Sequence, residues 1–387
     1  MRYLPPGRIL TAQAPSAPAP LRKYPSCLPP QPVVRCLKLT QGAAPLNPEK
    51  DRPSPANSSR PWRKGLLQAL VVLVLLATVA ILAGPRNSFG PQAPATRAAP
   101  PQDLSQLETW LQTSEKAFTN AKPGTAKGLG WADRAGERTP WAVVYLHGFS
   151  ASRLETAPLA DTVAQALGAN VFHTRLTGHG LDSVEAMGNA TVQDWMADAV
   201  EAVQIGKMLG DKVLVVGVST GATLAAWAAL SPQAKDINAM VFISPNFGPK
   251  DKRANMINGP WGQQIALALE GPVRGWTPDS PDEANAWTTR YATRAIFPMM
   301  ALVKEVRESN LAAVQTPLLM LYSENDEVVD PQEIKAAFAR IGSARKSLQV
   351  VDYSTSKGQH VLAGNIKAPT AVAPMAETIV QWVKSLP

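Results

Sequence analysis

From residue 141 onward, short apolar runs rich in β-forming residues alternate with stretches of helical periodicity, and no other feature of the sequence restricts the fold so tightly. The runs are 141–146 (WAVVYL), 170–176 (NVFHTRL), 212–218 (KVLVVGV), 239–244 (AMVFIS), 317–323 (PLLMLYS) and 348–353 (LQVVDY). Several are continuously apolar rather than alternating, as expected of strands covered on both faces. Helical patterns fill the gaps at 155–167, 191–209, 221–230, 331–341 and 371–385. This order predicts an α/β fold, a mostly parallel sheet with helices on both faces. Open sheets of this kind bind ligands beyond the carboxyl ends of their strands. Chemistry is therefore expected just after the six runs.

The N-terminal side reads differently. Residues 1–64 hold fourteen Pro, and eleven Lys and Arg against two acids, Glu49 and Asp51. Pro lacks an N–H and fixes φ, so neither helix nor central strand propagates through such a stretch. The segment predicts a disordered basic arm, or in part a region upstream of the true start. The remaining 323 residues carry 27 bases and 28 acids. The basicity thus belongs to the arm, and no basic face marks the rest as a nucleic-acid binder.

Residues 65–84 (GLLQALVVLVLLATVAILAG) contain no charge. A helix of that length spans about 30 Å, the hydrocarbon thickness of a bilayer. Arg60, Arg63 and Lys64 precede it and Gly84-Pro85 follow it. The excess of positive charge places the N-terminus in the cytoplasm and the downstream domain in the periplasm or exterior. The same features describe a cleaved signal peptide, although its apolar region is usually shorter. Residues 85–102 contain five Pro and read as a semi-extended linker lifting the domain off the membrane. A helix is expected over 103–121, with Leu104, Leu107, Trp110, Leu111 and Phe118 forming its apolar stripe. Residues 103–387 form the globular domain.

Both cysteines, Cys27 and Cys36, lie in the arm. A Cys nucleophile, a zinc–thiolate site and a structural disulfide are thereby excluded from the domain. The histidines are His147, His173, His179 and His360, so imidazole chemistry must use one of these four.

Gly217-Val218-Ser219-Thr220-Gly221 follows a predicted strand and opens an Ala-rich helix. The pattern alone is common, but wedged between a buried strand and a helix it has a steric meaning. A serine on a sharp strained turn lifts its hydroxyl into the open, and side chains two residues to either side would collide. The following helix points free N–H groups at the same spot. A serine hydroxyl needs a base, and His360, in a loop past the last predicted strand, is the one histidine downstream of it. The imidazole needs a carboxylate to fix its tautomer. Asp326 is the candidate among Glu324, Asp326, Glu327 and Asp330, which all follow the 317–323 run. Asp330 precedes Pro331 and is better explained as a helix N-cap, and Glu324 is the reserve. The strand end at His147-Gly148-Phe149 lets the Phe149 amide converge with that of Thr220 as an oxyanion hole. His147 and His179 read as braces of their loops, and His173 as a satisfied core histidine.

HGF (147–149), RLTGHG (175–180), GVSTG (217–221), NDEVV (325–329) and GQH (358–360) occur in this order, each near a predicted strand end. With these motifs the chain resembles the α/β-hydrolase superfamily, in particular its small carboxylesterase and monoacylglycerol-lipase-like branch, over roughly 127–387. The order serine, acid, histidine is the one that fold uses. The two opening strands of the fold are poorly marked, with KGLGWAD (127–133) a candidate for one of them. The resemblance implies hydrolysis of short or medium carboxylic esters, or of monoacyl lipids, through an acyl-enzyme on Ser219, with no cofactor and no metal. It also implies that the long stretch between 244 and 317 can form a helical cap, over about 246–312, whose aromatic and Met side chains would suit an acyl chain. Helices that merely extend the main core are the plainer alternative. Two rivals remain: an amidase, peptidase or thioesterase on the same triad, with Glu270, Asp279, Asp282 and Glu283 available to anchor a charged substrate, and a non-catalytic binding protein of the same fold.

Overall fold

The computed structural model describes residues 61–387. The expected arm falls outside the described residues except for its last four. Helix α1 (Pro61–Leu82) is exposed from Trp62 to Leu82, and over that stretch it is long and apolar enough to cross a membrane. After it come α2 (Leu107–Glu115), β1 (Gly128–Gly130), β2 (Thr139–Leu146), α3 (Leu159–Leu167), β3 (Asn170–His173), α4 (Val192–Leu209), β4 (Gly210–Val218), α5 (Thr220–Ala229) and β5 (Ala239–Ile243). The second half holds α6 (Gly262–Glu270), β6 (Val273–Gly275), α7 (Pro281–Ala286), β7 (Arg290–Ala292), α8 (Ile296–Glu308), β8 (Leu318–Tyr322), α9 (Pro331–Arg340), β9 (Lys346–Val350) and α10 (Val372–Lys384).

Seven strands form one sheet in the order β1-β3-β2-β4-β5-β8-β9. All neighbours are parallel except β1, which runs antiparallel to β3. The sheet is the expected α/β architecture, and β1 lies inside the 127–133 stretch. The central strands are the continuously apolar ones because two cores cover them. Val144, Val215, Met240 and Met320 face one side, with α4, α5 and α8. Val143, Val216, Val241 and Leu321 face the other, with α3 and α10.

Several boundaries move for physical reasons. The second run stops at His173 instead of 176, because the Thr174 hydroxyl and amide both turn to the Tyr145 carbonyl. The last strand sits two or three residues early, at 346–350, where its pairing with β8 runs from Leu318–Lys346 to Tyr322–Val350. The first helix of the domain ends at Glu115, before Phe118, whose ring instead lies against the Arg175 guanidinium at 3.9 Å.

The Pro-rich stretch after α1 forms no helix and no named strand, and its side chains are bonded into the domain. Asn87 donates to Asn258 Oδ1 and the Phe297 carbonyl, both at 2.8 Å. Phe89 is buried in the main core, and Arg97 pairs with buried Asp198. Gln193 donates to the carbonyls of Phe89 and Pro91. The side chains between the prolines fasten the strip down. The segment between β5 and β8 also divides. Ala301, Leu302 and Val306 of α8 belong to the main core. A two-stranded sheet of β6 and β7, with α6, lies outside it around a separate apolar cluster of Ala266, Tyr291, Ala295, Ile296 and Phe297.

A strip that is packed rather than free contributes to stability. Phe89→Ala is expected to lower the unfolding free energy by about 3 kcal/mol, measured by urea denaturation; a change below about 0.5 kcal/mol would mean that the strip is a passive linker.

Candidate active site

Ser219 stands between β4 and α5 with φ 51° and ψ −115°. For a residue with a Cβ this is strained backbone, costing about 1–3 kcal/mol. The two glycines of the motif show why the strain persists. A Cβ on Gly217 would lie 2.7 Å from the backbone of Ala222, and one on Gly221 would lie 2.0 Å from the Leu146 carbonyl oxygen. The turn closes only because both positions are bare. The Ser219 amide donates to the Ile243 carbonyl at 2.9 Å, which ties the turn to the end of β5.

The loop after β9 brings His360 to this turn. His360 Nε2 lies 3.1 Å from Ser219 Oγ, and Nδ1 lies 2.8 Å from Asp326 Oδ2. Asp326 is fully buried, and its other oxygen accepts the amides of Val328 and Val329 at 2.8 and 2.9 Å. The three candidate side chains thus form one hydrogen-bonded line. The alternatives are engaged elsewhere. Glu324 accepts the Tyr322 hydroxyl at 2.7 Å and pairs with Lys335. Asp330 caps α9 by accepting the Gln332 amide at 2.9 Å. The Ser244 hydroxyl donates to the His360 carbonyl at 2.7 Å and fixes the histidine loop to the sheet. Sequence reasoning passed over Ser244 because nothing marks it beyond its place at a strand end.

The loop after β2 forms the facing wall. The Thr220 amide is the first of α5 and has no partner among the described residues, and neither has the Phe149 amide. Gly148 lies so near that a Cβ there would be 3.4 Å from Ser219 Cβ. The Phe149 ring meets Tyr291 edge-on at 5.4 Å, His179 at 5.8 Å and Trp195 at 6.2 Å. His147 is buried, and its Nε2 accepts the Leu176 amide at 3.0 Å. Burial, aided by His179 and Arg175, lowers its pKa to about 3. Burial likewise lowers His179 to about 4. Neither has a hydroxyl within reach, so both act as neutral braces. His173 is buried as well, with Nε2 3.0 Å from Asp161 Oδ1.

One residue that sequence reasoning did not single out lies against this wall. Glu155 is buried, and its Oε1 accepts the Gly148 amide at 2.6 Å and the Tyr145 hydroxyl at 2.9 Å. Burial pushes its carboxyl up to about 8, against those two donors. No local pattern announces it, because its reach back to Gly148 depends on how the intervening loop folds. Among the described residues, no group of three or more His, Cys, Asp or Glu is placed to hold a metal ion.

Comparison with known proteins agrees with this geometry at the level of family. The model of the alpha/beta hydrolase family matches residues 143–373, and the chain belongs to that family. Its fold is shared with a metagenome-derived lipolytic enzyme of the pair LipS and LipT, at 23% identity and TM-score 0.56, covering 69% of this chain and 100% of the other. It is shared with a soluble variant of monoglyceride lipase from Saccharomyces cerevisiae, at 15% identity and TM-score 0.52, covering 67% and 90%. A monoacylglycerol lipase of Paleococcus ferrophilus aligns at 17% identity and TM-score 0.50, covering 67% and 98%. No curated protein matches the sequence.

The buried ionisable groups predict a stability maximum. His147 and His179 bind protons near 6.5 when unfolded and only near 3 and 4 when folded, so stability is lost as pH falls below 6.5. Glu155 is raised from 4.5 to about 8, so its contribution is lost as pH rises through that window. Between 4.5 and 6.5 the two histidines outweigh the one carboxyl. From these three groups the maximum falls near pH 6.5. Urea unfolding across pH 4 to 9 checks it: His179→Gln should flatten the acid limb and Glu155→Gln the alkaline one.

Proposed function

We propose that this chain is a serine hydrolase of carboxylic esters, held at a membrane by α1. The hydrogen-bonded line from Ser219 through His360 to Asp326 carries the reading, with the amides of Phe149 and Thr220 left without a partner among the described residues. In this mechanism Ser219 Oγ attacks the ester carbonyl while His360 Nε2 takes its proton. The amides of Phe149 and Thr220 hold the oxyanion of the tetrahedral intermediate. The intermediate collapses, the C–O bond to the leaving alcohol breaks, and His360 returns the proton to that alcohol. Water then attacks the acyl-enzyme through the same base, releasing the acid and restoring Ser219. Asp326 holds the Nδ1–H tautomer and stabilises the imidazolium formed in each half-reaction.

Short or medium acyl esters and monoacyl lipids are the proposed substrates. An apolar cluster of Ile257, Ala266, Tyr291, Phe297 and Met299 reaches Phe149 from the outer layer and suits an acyl chain. The amidase or peptidase reading asks for free acids near the site to anchor a charged terminus, and of the four candidates only Asp282 has no ion-pair partner among the described residues. Glu270 pairs with Arg274 at 3.3 Å, and Glu283 and Asp279 pair with Lys367 at 2.5 and 3.7 Å.

As to location, α1 is proposed as a retained anchor with the domain on the far side of the membrane. Trp261 Nε1 donates to the Ala80 carbonyl at 3.1 Å, and its amide to the Pro85 carbonyl at 2.8 Å. These two bonds support a reading in which the domain stays close to the end of the anchor. An indole at that level fits the interfacial preference of tryptophan.

Two measurements test this reading. Purified protein should hydrolyse p-nitrophenyl esters and react with a fluorophosphonate probe, while Ser219→Ala does neither and keeps its fold. Asp326→Asn should lower kcat by about 10⁴-fold. Equal turnover by wild type and Ser219→Ala would remove Ser219 from the reaction. Separately, full-length protein should stay with the membrane pellet after alkaline carbonate extraction. Recovery of a soluble chain beginning after residue 84 would show a cleaved signal instead.

A further inference from the structure

The proposed reaction leaves Glu155 without a role, although few residues near Ser219 are bound so closely. It is 2% exposed, on a loop between β2 and α3. Its Oε1 accepts the Gly148 amide at 2.6 Å, the shortest bond reaching the HGF loop from a side chain. The same oxygen accepts the Tyr145 hydroxyl at 2.9 Å, and Tyr145 accepts the Thr156 hydroxyl at 2.7 Å. Gly148 is thereby caught between two groups. A Cβ there would lie 3.0 Å from Glu155 Oε2 on one side and 3.4 Å from Ser219 Cβ on the other. The peptide that follows carries the Phe149 amide.

We propose that Glu155 is a positioning residue for acyl transfer: its carboxyl grips the Gly148 amide and so fixes the Phe149 N–H toward the oxygen on which negative charge develops. The proposal rests on the serine-hydrolase reading above and adds a determinant of its rate. Other features agree with it. The Phe149 ring meets Tyr291, His179 and Trp195, and His147 Nδ1 lies 2.9 Å from the Gly148 carbonyl, so the loop is held at its backbone by Glu155 and His147 and at its ring by aromatics. Tyr145 lies on the central strand β2, fully buried, so the grip is anchored in the sheet and not in a mobile segment. Burial pushes the carboxyl up to about 8. At neutral pH it is therefore mostly uncharged, and it holds the loop without setting a full negative charge behind the forming oxyanion.

A positioning role makes a demand on length that a packing role does not. Glu155→Gln keeps an acceptor oxygen in place. Glu155→Asp keeps the acid but draws it back by one methylene, about 1.5 Å. A misplacement of about 1 Å can cost on the order of a hundredfold in rate. The expected kcat on p-nitrophenyl esters therefore ranks wild type first, then Gln, then Asp and Ala, with the last two lowered roughly ten- to a hundredfold and KM changed less than threefold. Labelling of Ser219 by a fluorophosphonate should slow in the same order. If Glu155→Ala does not fold, the order of Gln over Asp decides alone. Equal kcat in the Gln and Asp variants, or a loss confined to KM or to the thermal midpoint, would overturn the role. A wild type that the probe does not label at Ser219 would instead overturn the underlying reading of the reaction.

Discussion

The contact between Gly221 and the Leu146 carbonyl holds the arrangement of the site. It joins the first turn of α5 to the end of β2 at a distance no side chain could share. Ser219 is forced into positive φ by the same closeness, and its hydroxyl is thereby turned out of the sheet. The cost of that backbone is set against a dense core immediately behind it, where Val218, Ala222, Leu224 and Ala225 are all fully buried. The strain cannot relax without separating α5 from the sheet. One steric requirement therefore fixes both the hydroxyl and the N-terminus of the helix that faces developing charge.

From that turn the rest of the site is assembled by bonds across strand ends. The Ser219 amide reaches the Ile243 carbonyl, the Ser244 amide reaches the Leu321 carbonyl, and the Ser244 hydroxyl reaches the His360 carbonyl. The first two steps each move one strand along the sheet, from β4 to β5 and from β5 to β8, and the third runs from the end of β5 to the histidine loop. Side chains 141 positions apart in sequence meet at 3.1 Å because this ladder leaves their loops little freedom. A parallel sheet makes this possible, since all its strands from β3 to β9 deliver their C-terminal ends to the same rim.

How much of this was legible in the sequence follows from where the constraint lies. Ser219, Asp326 and His360 were readable because each answers a demand that local sequence expresses: glycines for a tight turn, a loop histidine where few histidines exist, and an acid not already used as an N-cap. Central strands were readable because burial on both faces leaves an unbroken apolar run. Edges were not. β1 has three residues of intermediate burial, and β9 is half exposed, so neither needs an apolar run and their limits follow pairing alone. Nor was the packing of the Pro-rich strip legible. Its composition is that of a linker, and only the positions of Asn87, Phe89 and Arg97 relative to α4 and α8 turn it into part of the domain. Glu155 belongs to the same class, a residue whose meaning is set by a contact that no spacing rule encodes.

The charge state of the surroundings completes the argument. Acyl transfer creates an imidazolium and an oxyanion a few ångströms apart, and in a dry site nearby charges act strongly on both. Three ionisable groups packed around the HGF loop are held toward their neutral forms: His147 and His179 because burial disfavours their cations, Glu155 because burial disfavours its anion. Glu155 and His147 thus give the loop hydrogen bonds, while the nearby Arg175 cation is paired with Glu115. In the proposed reaction the Asp326 carboxylate, taking two backbone amides and the imidazole, sits on the side of His360 away from Ser219, where a negative charge would assist. A positive charge on His147, or a negative one on Glu155, would change the balance that this placement sets.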